Sequence, residues 1–160
     1  MPPAPLIDLS ILDMDNIVAD KEAIYSLLPH RYEFERLDRI VYFKHEEEDL
    51  RIAGYHDVTD DEFWVRGHIP GKPIFPGVMM VETAAQLVSY ASMTVCDKKD
   101  EFLGFAAIDN VKFRGGVAPG QRMIMLGKME EIRPRRCKGT TQGFVDGKMI
   151  FEGLITGMWL

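Results

Sequence analysis

The sequence predicts an α+β domain in which one antiparallel sheet wraps around a single long buried helix. Three observations carry this. Val78 to Met93 contains no Gly, no Pro and one charged residue, Glu82, and apolar side chains cover nearly its whole circumference. A helix that is apolar all round is a buried helix. The other apolar segments are short, rich in β-branched and aromatic residues, and bounded by turn residues, as strands are. Asp146-Gly147 between the last two segments is a two-residue hairpin signal. Hairpin-linked strands beside one long helix define the α+β class.

The elements follow in chain order. Residues 1–20 read as an N-terminal extension to a domain spanning 21–160. Pro2, Pro3 and Pro5 oppose regular structure at the start. The acidic stretch Asp8 to Asp20 carries Leu9, Ile11, Leu12, Met14, Ile17 and Val18. It fits either a short amphipathic helix or a segment draped over the domain. Asp20 then caps a helix whose Ile24, Leu27 and Leu28 share one face, and Pro29 stops it. A strand is expected over Leu37–Phe43, a charged turn over Lys44–Asp49 and a second strand over Leu50–Val58. Residues 66–77 form a loop dense in Gly and Pro. After the helix come strands over Phe102–Phe113, Arg122–Ile132, Lys138–Val145 and Lys148–Leu160. Gly115-Gly116 and Pro119-Gly120 bracket a turn.

Composition narrows the function. The chain has 160 residues, 46% of them hydrophobic, enough for one domain with a real core. Nineteen basic against 25 acidic residues give a net charge of −6. Bulk attraction to nucleic acid is therefore excluded, although a local basic patch can still bind an anion. No apolar run reaches the roughly 18 residues of a membrane helix. The start has neither the basic residues nor the apolar core of a secretory signal. The two cysteines, Cys96 and Cys137, form no Cys-x-x-Cys pair and have no evident base partner. A reducing, cytoplasmic setting is expected.

The chemistry is concentrated where the loop meets the helix. His68 sits in a Pro-fixed loop, a rigid platform for an aimed side chain. Gly77 and Val78 open the helix, where free N–H groups and the positive end of the dipole can stabilise an oxyanion. Glu82 lies about one turn further on. Burial there should raise its pKa and suit it to donate a proton. Base, acid and oxyanion donor can thus cluster.

Gly67-His68, Pro70, Pro73, Pro76-Gly77-Val78, Glu82 and Ala85-Gln86 stand in order and without gaps. This block resembles the signature of the 3-hydroxyacyl-(acyl carrier protein) dehydratases, in the hydroxymyristoyl branch of the hot-dog fold. Leu27-Leu28-Pro29-His30-Arg31-Tyr32 with Phe34, Asp38 and Arg39 resembles the family's N-terminal motif. Phe105, Ile108-Asp109, Lys112-Phe113, Pro119-Gly120 and Val145-Asp146-Gly147-Lys148 resemble its later blocks. The resemblance spans Ala23 to Leu160. It implies a hot-dog fold and a catalytic pair formed by His68 and Glu82. It also implies an oxyanion contact at Gly77 and Val78 and a helix glutamine at Gln86. The reaction implied is dehydration of a (3R)-3-hydroxyacyl thioester on acyl carrier protein to the trans-2-enoyl thioester. No metal or other cofactor is needed. A homodimer, or a trimer of dimers, would place His68 of one chain against Glu82 of the other. Glu82, where a sister branch has Asp, favours the branch that dehydrates without isomerising.

Some positions depart from the family pattern. Ile69 and Phe75 replace residues usual around the loop and are expected to reshape the acyl tunnel. Glu33, Glu35 and Arg36 replace proline and apolar residues and are expected to alter dimer contacts. Thr83 replaces Ala beside Glu82. His30 reads as structural, bonding near a helix end, and His30, His45 and His56 lack metal-ligand spacing. Arg133, Arg135, Arg136 and Lys138 form the densest basic run of an acidic chain. They are either a solvated hairpin tip or a dock for the acidic carrier, with Lys112 or Arg114 as further contributors. Two other readings stay open: a hot-dog thioesterase or hydratase on coenzyme A esters, and a non-catalytic acyl-binding subunit.

Overall fold

The computed structural model describes residues 1–160. The charged helix start behaves as its residues dictate. Asp20 accepts a hydrogen bond from Ala23 N–H and caps α1, Lys21–Leu27. The apolar run becomes α2, Gly77–Cys96, capped by Pro76 and ended by Asp97 in the left-handed conformation. Six strands follow or precede it: β1 Arg39–Glu46, β2 Asp49–Asp57, β3 Leu103–Phe113, β4 Arg122–Ile132, β5 Arg136–Val145 and β6 Lys148–Trp159. They form one antiparallel sheet in the order β1-β2-β4-β5-β6-β3. The sheet wraps α2, which is a hot-dog fold.

The inner core joins α2 to the sheet. Ala84, Leu87, Val88 and Ala91 of the helix are buried with Ile52, Met123, Met125 and Ile155 of the strands. The helix lies so close that a Cβ at Gly139 would meet Val88 at 2.7 Å. Only glycine admits that approach. The helix is not buried all round, however, because Val78 at its first turn is 73% exposed.

The outer face of the sheet is also apolar, with Val41, Ala53, Tyr55, Leu126 and Phe144 in a second buried cluster. The N-terminal extension covers it. Leu6, Ile7, Leu9, Leu12 and Met14 pack on this face. Leu6 N–H donates to Gln142 Oε1 at 2.8 Å, Gln142 Nε2 donates to the Ala4 carbonyl at 3.0 Å, and Arg51 donates to the Leu6 carbonyl. Of the two expectations for this stretch, draping is the outcome. Its only helical part is a single 3-10 turn at Leu9–Ile11.

Strand limits differ where charges are neutralised locally. The expected turn over Lys44–Asp49 shrinks, because β1 runs to Glu46 and β2 restarts at Asp49. Asp49 accepts from both Lys44 and Arg51 at 2.7 Å, which makes the charged residues compatible with a ladder. Asp146 and Gly147 both take positive φ, 49° and 75°, as the tight hairpin requires.

Candidate active site

The segment between β2 and α2 aims His68. Glu62 gathers it, accepting from Thr59 N–H at 3.1 Å and from Trp64 Nε1–H at 2.7 Å. His68 N–H then donates to the Trp64 carbonyl at 2.8 Å, and Ile74 N–H to the His68 carbonyl at 3.0 Å. The exposed ring has its Nδ1 2.7 Å from the Ile74 carbonyl. A carbonyl only accepts, so Nδ1 carries the proton and the Nε2 lone pair is bare. That is the tautomer a general base needs.

Gly77 and Val78 begin α2 with N–H groups that no main-chain acceptor claims. A Cβ at Gly77 would meet the Phe113 ring at 3.0 Å, so the close packing of β3 on the helix start depends on glycine.

Glu82 faces a different neighbourhood. It lines a cavity of about 130 Å³ with His30, Ala85, Gln86, Phe102 and Phe105 among the walls. Through His30, Ser89, Phe102 and Leu103 this cavity adjoins a second of about 260 Å³ that reaches Met93, Lys99 and Glu101. The result is a groove along α2 from Glu82 to Met93. Eleven residues at about 1.5 Å rise make it roughly 16 Å long.

Glu82 also corrects an expectation. Burial does push its pKa upward, but hydrogen bonds from His30 and Gln86 outweigh burial and hold the carboxyl below its usual range. His30 Nε2 lies 3.2 Å and Gln86 Nε2 2.8 Å from Glu82 Oε1. His30 is therefore a site residue, whereas the sequence suggested only a structural one. Within one chain no hydrogen bond joins His68 to Glu82, and His68 does not line its cavity.

Two of the departures from the family pattern lie elsewhere than expected. Arg36 is 5% exposed and turned inward, bonding Glu62 at 2.7 Å, so it is no part of a subunit surface. Phe75 is buried edge-on to Trp64 at 5.5 Å and beside His56 at 5.6 Å, so it lines no groove. The sequence also missed a buried cluster. His56 Nδ1 lies 3.1 Å from Asp38 and Nε2 2.9 Å from Glu62. Burial disfavours charge on all three groups, yet their mutual bonds raise His56 and lower Asp38 and Glu62, the last to about 2.

The basic run occupies the β4–β5 connection. Arg133 and Arg136 both pair with Glu131, at 3.4 and 2.8 Å, while Arg135 and Lys138 have no carboxylate partner. Lys98 donates to the Pro134 carbonyl at 3.0 Å, so the run adjoins the residues at the Met93 end of the groove. Lys112 and Arg114 sit at the other end of β3, paired with Glu152. The expected joint patch with them does not form within one chain.

Comparison with known proteins agrees with this architecture. The profile of the FabA-like domain family matches residues 28–154. A 3-hydroxyacyl-[acyl-carrier-protein] dehydratase FabZ from Roseiflexus castenholzii is 36% identical over 82% of this chain and 90% of its own length. The FabZ of Erwinia tasmaniensis is 38% identical over 82% and 86%. The bifunctional enzyme LpxC/FabZ of Chlorobaculum tepidum is 34% identical, and this chain spans only 29% of it. Two solved structures share the fold at low identity. One is the dehydratase heterocomplex ApeI:P from Xenorhabdus doucetiae (TM-score 0.72, 12% identity, 86% of this chain and 90% of that one). The other is zebra fish thioesterase superfamily member 2 (TM-score 0.63, 11% identity, 86% and 94%). With the family profile spanning most of the chain, and relatives of similar length above 30% identity, the chain belongs to the FabA-like family, on the branch of the FabZ dehydratases.

Proposed function

We propose that this chain dehydrates (3R)-3-hydroxyacyl thioesters carried on acyl carrier protein, with His68 and Glu82 as the catalytic pair. The observation that carries the reading is the locked His68 ring, whose proton is held at Nδ1 by the Ile74 carbonyl. Its Nε2 takes the C2 proton of the substrate. The C2–H electron pair becomes the C2–C3 double bond as the C3–O bond breaks. The N–H groups of Gly77 and Val78 meet the thioester oxygen as enolate charge develops. Glu82 gives a proton to the departing hydroxyl, which leaves as water. Its Oε1 is occupied by two donors, so the proton travels on Oε2. After release, His68 holds one proton too many and Glu82 one too few, and exchange with water resets the pair.

The groove beyond Glu82, with Leu27, Met93, Phe102 and Leu103 among its walls, takes the acyl chain. β3 forms an edge of the sheet with Phe105, Ile108 and Phe113 exposed, which supports pairing with a second copy. Such a dimer would bring His68 of one chain to Glu82 of the other. Arg135 and Lys138, with Arg133 and Arg136 beside them, supply the positive charge that an acidic carrier needs against a chain of net charge −6.

The test is enoyl-thioester formation from 3-hydroxyacyl carrier protein, run beside the coenzyme A ester and a free-thiol assay. His68→Ala and Glu82→Gln should each lower turnover at least about a hundredfold with the fold intact. Mixing the two dead variants should restore roughly a quarter of wild-type activity, because random pairing gives half of the dimers one complete site. Thiol release without the enoyl product would make the chain a thioesterase. No recovery on mixing would remove the shared site.

A further inference from the structure

Glu82 Oε1 is held by the Gln86 amide, and the Gln86 amide is itself held. Gln86 is 1% exposed. Its Oε1 accepts from the Tyr25 hydroxyl at 2.7 Å and from Arg36 N–H at 3.1 Å. Its Nε2 donates to the Phe34 carbonyl at 2.6 Å and to Glu82 Oε1 at 2.8 Å. A flipped amide would set its oxygen against a carbonyl and a carboxylate, and its NH2 against a backbone donor. Only one orientation satisfies all four neighbours.

Tyr25 is the one side chain in that frame that donates to the amide oxygen. Leu37 N–H donates to the Tyr25 oxygen at 2.9 Å. A backbone N–H cannot accept, so the phenolic hydrogen is directed at Gln86. Burial pushes the Tyr25 pKa far upward, which keeps that hydrogen in place. The hydrogen bonds therefore run one way, from Leu37 N–H through Tyr25 and Gln86 to Glu82.

We propose that Tyr25 is a positioning residue. Acting through Gln86, it commits Glu82 Oε1 to accepting hydrogen bonds and leaves Oε2 as the oxygen that exchanges a proton with the substrate. Both donors to the carboxyl fall on Oε1 and none on Oε2. The consequence for catalysis rests on the dehydratase reading, but the effect on Glu82 does not.

The experiment titrates Glu82 directly in the full chain, by 13C NMR of glutamate-labelled protein. Loss of the resonance in Glu82→Gln assigns it. Tyr25→Phe and Gln86→Met should each move the Glu82 midpoint upward, because each weakens donation to the carboxylate. In the Gln86→Met background, Tyr25→Phe should add no further shift, since the route through the amide is gone. For enzyme assayed on carrier-bound substrate, the inflection of kcat/KM that Glu82→Gln abolishes should follow the NMR midpoint while KM stays within about twofold. Circular dichroism checks that each variant is folded. An unmoved midpoint in folded Tyr25→Phe overturns the proposal, and so does an additive shift in the double variant. If Tyr25→Phe does not fold, Gln86→Met alone decides, and an unmoved midpoint there is equally fatal. Wild-type protein without dehydratase activity would sink the functional reading and leave the titration to decide the relay.

Discussion

Glu82 is held in its charged form more firmly than a half-buried carboxyl on an apolar helix ordinarily is, and this changes what a pH profile reports. Burial opposes the charge, but His30, Gln86 and the nearby Arg36 favour it more strongly. A lowered pKa means that the acid form of Glu82 becomes scarce as pH rises through the lowered value. The inflection of free-enzyme kcat/KM that belongs to Glu82 should then lie below the usual carboxylate value. The residual activity of Glu82→Gln should lack that inflection, and its retention at the same pH would assign it to another group. The pair His68 and Glu82 was legible in the sequence because it lies in one ungapped stretch with Gly77 between its members. His30 and Tyr25 were not, because packing of α1 on α2 brings them to the site. Nothing in their spacing marks that contact. The sequence argument for Glu82 failed in sign because it counted desolvation and had no means to see the two donors.

The segment that carries His68 is fastened by the cluster that joins β2, the start of β1 and the loop after β2. His56 sits between Asp38 and Glu62, with Arg36 on Glu62 and Lys21 3.6 Å from Asp38. His56 has a raised pKa, so its contribution is complete below its ordinary value near about 6.5 and fades as pH climbs through the raised one. Asp38 and Glu62 have lowered values. Their contribution is complete above about 4.5 and fades as pH falls. Chemical denaturation should therefore show maximal stability between about pH 4.5 and 6.5. His56→Ala leaves buried carboxylates facing each other and should cost about 2–4 kcal/mol at pH 6, with the alkaline loss of stability abolished. An unchanged pH dependence in that variant would show that the cluster is not the cause. At this scale the sequence served well for α2 and for the β5–β6 hairpin, where periodicity and Asp146-Gly147 leave little choice. It served less well for Arg36 and Phe75. Residue type suggested a surface and a tunnel for them, whereas their partners, Glu62 and Trp64, lie some distance along the chain and turn both inward.

Over the whole molecule, the sheet is packed by α2 inside and by the N-terminal extension outside, with only β3 left largely bare. Removing residues 1–16 would uncover Val41, Ala53, Tyr55, Leu126 and Phe144 together. The truncated chain should melt about 5–10 °C lower and self-associate as its concentration rises, read by calorimetry and light scattering. Equal melting and scattering would make the extension dispensable. The order of the strands also bears on how the chain emerges during synthesis. α2 ends at Cys96, but β6, which contributes Ile155 to its cover and pairs with β3, begins at Lys148. At about 5–20 residues per second, the ribosome needs roughly 3–10 s to make the intervening segment. Until β4 and β5 emerge, the most apolar helix of the chain has only β1 and β2 to lie against, and throughout the interval β3 has no partner. The nascent protein is thus a natural client for holding chaperones. Slowing elongation between residues 96 and 148 should lower its soluble yield in cells short of them.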